Sequence, residues 1–150
     1  MATQSAIPVG RAHLRTICNC PTCVEHCRRQ PGYLIPSDLE ALAEHCGQSV
    51  ERMASEHLEP GPGSVVGVLD EHTGRLRTWT IPTLVPKRGA SGACHWLMPD
   101  GRCAVHAVAP YGCAWFDSHM SRAEGDARSI PALRIIQSDR EYQQLVRELQ

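Results

Sequence analysis

The sequence predicts a small α+β domain: short helices, a short antiparallel sheet or hairpins, and a C-terminal helix, with loops stapled by metal. Three observations predict it. Apolar residues recur at helical spacing behind capping signals in two places. The middle of the chain switches to the alternation of a strand. Eight cysteines occur in 150 residues, against aromatics at only 5%. A chain of this length amounts to about one domain and can bury a core. Residues 1–150 therefore read as a single cysteine-cluster metal-binding domain, with 1–16 as a loose N-terminal arm.

Taken in order, residues 18–36 read as a loop, because four cysteines are followed by Pro31-Gly32 and Pro36. A helix follows. Ser37 and Glu40 match a capping box, and Leu39, Leu42, Ala43 and Cys46 form an apolar stripe that Gly47 can close. A second short helix is expected from Ser49 to about Leu58, with Val50, Met53 and Ala54 on one face. Glu59-Pro60-Gly61-Pro62-Gly63-Ser64 is the most linker-like piece of the chain. Ser64–Leu69 is a short apolar run, Glu71-His72-Thr73-Gly74 a turn, and Leu76–Ile81 an alternating strand, with a further extended piece at Thr83–Val85.

Lys87–Gly92 reads as loop. Cys94–Met98 and Arg102–Val105 flank Pro99-Asp100-Gly101, where glycine can supply a positive φ, and this predicts a hairpin. Pro110 and Gly112 oppose a long helix after it. The C-terminus carries the cleanest pattern: Ser138 and Glu141 as a capping box, then Tyr142, Leu145, Val146 and Leu149 as one stripe. Trp96, Trp115 and Phe116 are expected to pack around the site.

Charge is nearly balanced, 15 Lys+Arg against 16 Asp+Glu, and only Lys87 is a lysine. Nucleic-acid binding by bulk attraction normally needs a basic excess, so it is disfavoured. No run approaches the ~18 apolar residues of a membrane span, and the first residues show no apolar signal-peptide core. A cytoplasmic location is expected, with no membrane partner. Thiols stay reduced there, which turns the cysteines from disulfides towards metal.

Their spacing agrees. Cys18-x-Cys20-x2-Cys23-x3-Cys27 forms one group, and Cys94-x8-Cys103-x9-Cys113 another, with His106 three residues after Cys103. Thiolates are strong ligands for zinc and for iron in clusters. Two distant groups would let one inorganic centre close a long loop and contribute directly to folding. The candidate ligands are Cys18, Cys20, Cys23, Cys27, Cys94, Cys103, Cys113 and His106, and the cofactor is zinc or an iron–sulfur cluster. Cys46, on the apolar stripe, reads as a core side chain. The other histidines show no ligand pattern.

The segment CHWLMPDGRCAVHAVAPYGC, from Cys94 to Cys113, together with the cysteine group at 18–27, resembles the YkgJ-type cysteine-cluster family of zinc- or iron-chelating domains. Cys103, His106, Pro110 and Cys113 stand at that family's offsets. The resemblance implies chelation at Cys20, Cys23, Cys27, Cys94, Cys103 and Cys113. Two departures stand out: Ala109 occupies the place of the usual arginine, and Cys23 and Cys27 are separated where the family often has adjacent cysteines.

Three functions compete. The first is a metal-binding module with a structural ion or an iron–sulfur centre. The second is a metalloenzyme or a redox or modification protein, with Asp117 and His119 as the nearest acid–base groups. The third is a metal-stabilised adaptor docking a partner protein, for instance through the acidic residues 38–59. No protease, nucleotide-binding or deaminase signature occurs. Cys20-Pro21-Thr22-Cys23 matches a redox pair in spacing, but no βαβ unit surrounds it.

Overall fold

A computed structural model describes residues 20–29, 31–114, 116 and 119–150; among these, nothing is described for the side chains of Cys23 and of residues 64–69. The expectations for the 1–16 arm, Cys18, Trp115 and Asp117 lie outside the described residues.

The chain is α+β, as its sequence predicts. Helix α1 spans Pro21–Arg29, α2 Pro36–Cys46 and α3 Val50–His57. Strands β1 (Leu58–Leu69) and β2 (Leu76–Pro86) form a two-stranded antiparallel sheet. A single 3₁₀ turn at His106–Val108 precedes α4 (Tyr111–Ala114), α5 (Arg122–Ser138) and α6 (Arg140–Glu148).

The first departure from expectation is α1, which replaces the loop predicted around the early cysteines. Pro21 occupies the first helical position, where its missing N–H costs nothing. Cys20 O accepts the first helical bond, from Val24 N at 3.0 Å, and Glu25 reaches forward to Arg29 at 2.7 Å. Cysteines spaced for a metal loop are equally compatible with a helix, and the helix prevails.

In α2 the stripe of Leu39, Leu42 and Ala43 is buried, Cys46 is half-buried, and Gly47 closes the helix at φ 64°. Its start is not the Ser37–Glu40 box. Asp38 Oδ2 accepts from Ile35 N at 2.9 Å and, across the fold, from Tyr111 N at 2.8 Å. In α3, Ser49 caps Arg52 N, and Met53 and Ala54 are buried as expected.

The stretch that reads as a linker is strand. β1 begins at Leu58 and runs through Pro60, Gly61, Pro62 and Gly63 into the apolar run. The prolines are two residues apart, so both missing donors fall on the same edge of the strand. The glycines let neighbours close in: a Cβ on Gly63 would meet Leu133 Cδ2 at 2.5 Å and Thr83 Cγ2 at 2.7 Å. The buried Thr83 hydroxyl donates to Gly61 O at 2.7 Å. The two extended pieces expected at 76–81 and 83–85 are one continuous strand, β2. Asp70 and Gly74 (φ 67°) form the turn between the strands.

α5 was not expected from the sequence. It contains Pro131 and has no clean stripe, although Ser121 and Glu124 give it a capping pair. Ala132, Leu133 and Ile136 bury against the sheet. α6 follows almost without a break, and its cap is Asp139 rather than Ser138, which ends α5. Tyr142, Leu145 and Val146 are buried as predicted. The Tyr142 hydroxyl donates to Leu34 O at 2.6 Å and accepts from Leu84 N at 2.7 Å, while Leu34 N donates to Leu84 O at 2.8 Å. Residues 31–35 are thereby held along β2, which fixes the path from α1 towards the core.

Among the described residues no helix is long and apolar enough to cross a membrane.

Candidate metal centre

Three backbone approaches bring the second cysteine group to the first. Cys94 N donates to Cys27 O at 2.7 Å, at the C-terminal end of α1. The Pro99-Asp100-Gly101 turn lies beside α1, where a Cβ on Gly101 would stand 3.9 Å from the Val24 methyls. Residues 32–33 meet residues 112–113: Gly112 N donates to Tyr33 O at 2.8 Å and Gly32 N to Cys113 Sγ at 3.2 Å. The last approach is possible only between glycines. A Cβ on Gly32 would fall 2.1 Å from Gly112 C and 2.4 Å from Cys113 N.

The hairpin predicted at 94–105 is a tight turn with a single antiparallel bridge, Leu97 to Cys103, rather than two strands. Met98 N donates to Arg102 O at 2.8 Å, Ala104 N to Trp96 O at 2.8 Å, and Gly101 takes φ 85°. This turn sets Cys94 and Cys103 near each other. α4 then presents Cys113, and its N-terminus is held by the buried carboxylate of Asp38.

Cys94 and Cys113 each lie within electrostatic reach of Cys27 and Cys103. The Cys94 thiol is pushed up to about 11, first by burial, with the backbone N–H groups of Trp96 and Leu97 opposing the rise and negative charge on Cys103 and Cys27 adding to it. Cys113 is driven well above the ordinary thiol range, first by desolvation and then by charge on Cys27, with Cys94 and Cys103 adding to it; the Gly32 N–H opposes the rise. Two sulfurs therefore lie in a desolvated region, receive backbone N–H groups, and sense the charge of their neighbours. Among the described residues no three His, Cys, Asp or Glu side chains stand close enough together to hold an ion as they are.

Cys20 lies two helical turns before Cys27, at the other end of α1, with its Sγ 3.4 Å from His119 Nε2. His119 showed no ligand pattern in the sequence, being 99 residues from Cys20, and only the fold brings them together. His106 is exposed on the 3₁₀ turn. Cys46 is half-buried and packs against the core, its thiol raised by burial and then by Glu56.

Aromatic rings flank the centre. Tyr33 and Tyr111 pack against Phe116 at centroid distances of 6.4 and 5.8 Å. Burial pushes the Tyr33 hydroxyl up to about 12, although its bond to Ser129 opposes this. Trp96 lies against His95 and His57, at 4.7 and 5.4 Å, on the α3 side.

Compared with protein-family models, curated proteins and solved structures, the chain matches none.

Proposed function

We propose that this protein binds zinc or an iron–sulfur cluster through Cys27, Cys94, Cys103 and Cys113. The observation that carries the reading is the desolvated sulfur pair of Cys94 and Cys113, each receiving backbone N–H groups and each within range of charge on Cys27 and Cys103. Desolvation first, and the charge of neighbouring thiols after it, raise Cys94 and Cys113, and a bound cation would offset both. Backbone N–H donors to sulfur are the outer-sphere partners that orient metal thiolates and tune cluster potentials. Four sulfur donors suit a closed tetrahedral zinc site or a four-iron cluster. The resemblance to YkgJ-type proteins points the same way and includes all four residues.

In this reading the centre is first structural. It ties the end of α1 to the 94–103 turn and to α4, which are linked otherwise by a few backbone bonds. The metal would supply folding energy to a chain whose aromatic content is low. A reducing, cytoplasmic compartment fits such thiols.

The test is anaerobic purification of the full chain, followed by absorption spectroscopy and elemental analysis. A brown sample with broad sulfide-to-iron absorption identifies the cluster, and a colourless sample with stoichiometric zinc identifies the ion. Cys103→Ser and Cys113→Ser should each lose the resident metal and lower Tm. Protein that carries no metal, or variants that retain all of it, would refute the assignment.

A further inference from the structure

We propose that Cys20 and His119 are two ligands of a second metal locus, separate from the four-thiol centre and taking a divalent ion of the zinc class. The proposal extends the metal-binding reading to another part of the chain, and its geometry stands independently.

The two side chains meet from opposite ends of the sequence. Cys20 sits immediately before α1, and His119 lies just ahead of the Ser121 cap of α5. Their donor atoms are 3.4 Å apart. For a tetrahedral ion, metal–sulfur and metal–nitrogen distances of about 2.3 and 2.0–2.1 Å put the two donors about 3.6 Å from each other. The pair therefore already has the bite of a chelate, to within a few tenths of an ångström. Thiolate and imidazole together select zinc and its borderline neighbours over magnesium or calcium, which require oxygen. Half-buried Cys20 and exposed His119 keep the locus open to the solvent that delivers the ion.

The locus cannot belong to the four-thiol centre as a shared single ion. Seven residues separate Cys20 from Cys27, about 10 Å along a helix at 1.5 Å per residue. Two sulfurs on one ion stand about 4 Å apart. α1 thus carries a ligand at each end, one facing the α5 approach and one facing the 94–113 segment.

The experiment uses full-length protein, purified anaerobically with whatever metal it holds, washed with a mild chelator and titrated with Co²⁺ alone. The expected result is one equivalent of Co²⁺ with thiolate-to-cobalt charge-transfer absorption, while the resident metal remains unchanged. His119→Ala and Cys20→Ser should each weaken Co²⁺ binding by about tenfold or more without loss of the resident metal. Because His119 is exposed, its replacement leaves the fold intact, which Tm checks. Absence of a thiolate–cobalt band in the wild type, or an unchanged titration in His119→Ala, overturns the proposal and leaves the pair as a hydrogen bond only. His119-dependent Co²⁺ binding in a protein without resident metal would support this locus while refuting the four-thiol centre. Loss of resident metal in Cys113→Ser with Co²⁺ binding retained would support both.

Discussion

Glycine at position 32 shows how a single missing side chain creates the candidate centre. Its N–H reaches Cys113 Sγ because the backbones at 32 and 112 touch, and the atoms a Cβ would strike are backbone atoms that cannot rotate away. Gly32→Ala should therefore destabilise the protein by at least ~2 kcal/mol, in the range of overpacked cores. It should also lower the metal content measured after purification. Gly125→Ala is the counterpart. Nothing lies within 4 Å of a Cβ there, the position is inside α5, and alanine should add up to ~1 kcal/mol of stability. Thermal unfolding of both variants checks the sign in each direction; equal effects would mean that the 32–112 contact is not a constraint.

At the scale of elements, Asp38 links two of them. Its Oδ2 takes the N–H of Ile35 at the head of α2 and that of Tyr111 at the head of α4, the helix that presents Cys113. Asp38→Ala leaves two buried donors without this acceptor, a loss of about 3 kcal/mol. For a chain of this size that corresponds to roughly 6–12 °C in Tm. Asp38→Asn, which keeps an acceptor oxygen, should lose less. If metal content falls with Tm in Asp38→Ala, the carboxylate positions the Cys113 helix; a stability loss with metal content intact would limit it to capping α2. The sequence placed Asp38 in an acidic run and did not distinguish it from its solvated neighbours, since burial of a carboxylate is a tertiary fact. The same limit explains the other differences. α6 was legible because its stripe is local. α5 was not, because Pro131 breaks the pattern and its burial is set by the sheet. Pro60–Gly63 signals a linker locally and becomes strand only because β2 and Leu133 close on its glycines. The thiols are legible by their spacing, whereas the coupling of Cys94 and Cys113 to Cys27 and Cys103, and the contact of Cys20 with His119, are tertiary facts.

Across the whole molecule, the thiols and tyrosines impose one direction on stability against pH. Cys94 moves from 9.0 to about 11 on folding, Tyr33 from 10.0 to about 12, and Cys113, Tyr111 and Tyr142 shift upward too, each first through burial. A group with a raised folded-state pKa keeps its proton longer in the native chain than in the unfolded one. Its contribution is therefore full below the unfolded value and is lost as pH climbs through the folded value. Metal-stripped, reduced protein should lose Tm steadily from pH about 9 upward, the thiols acting first and the tyrosines next. Loading the centre reverses the dependence of the thiols, because a metal needs them deprotonated and competes with protons for them. The loaded protein should hold its Tm where the stripped protein is failing, and lose both metal and Tm on acidification instead. Thermal unfolding across pH, with metal content measured at each point, separates the two curves. Coincident curves would mean that the converging thiols hold no ion and serve only as buried apolar side chains.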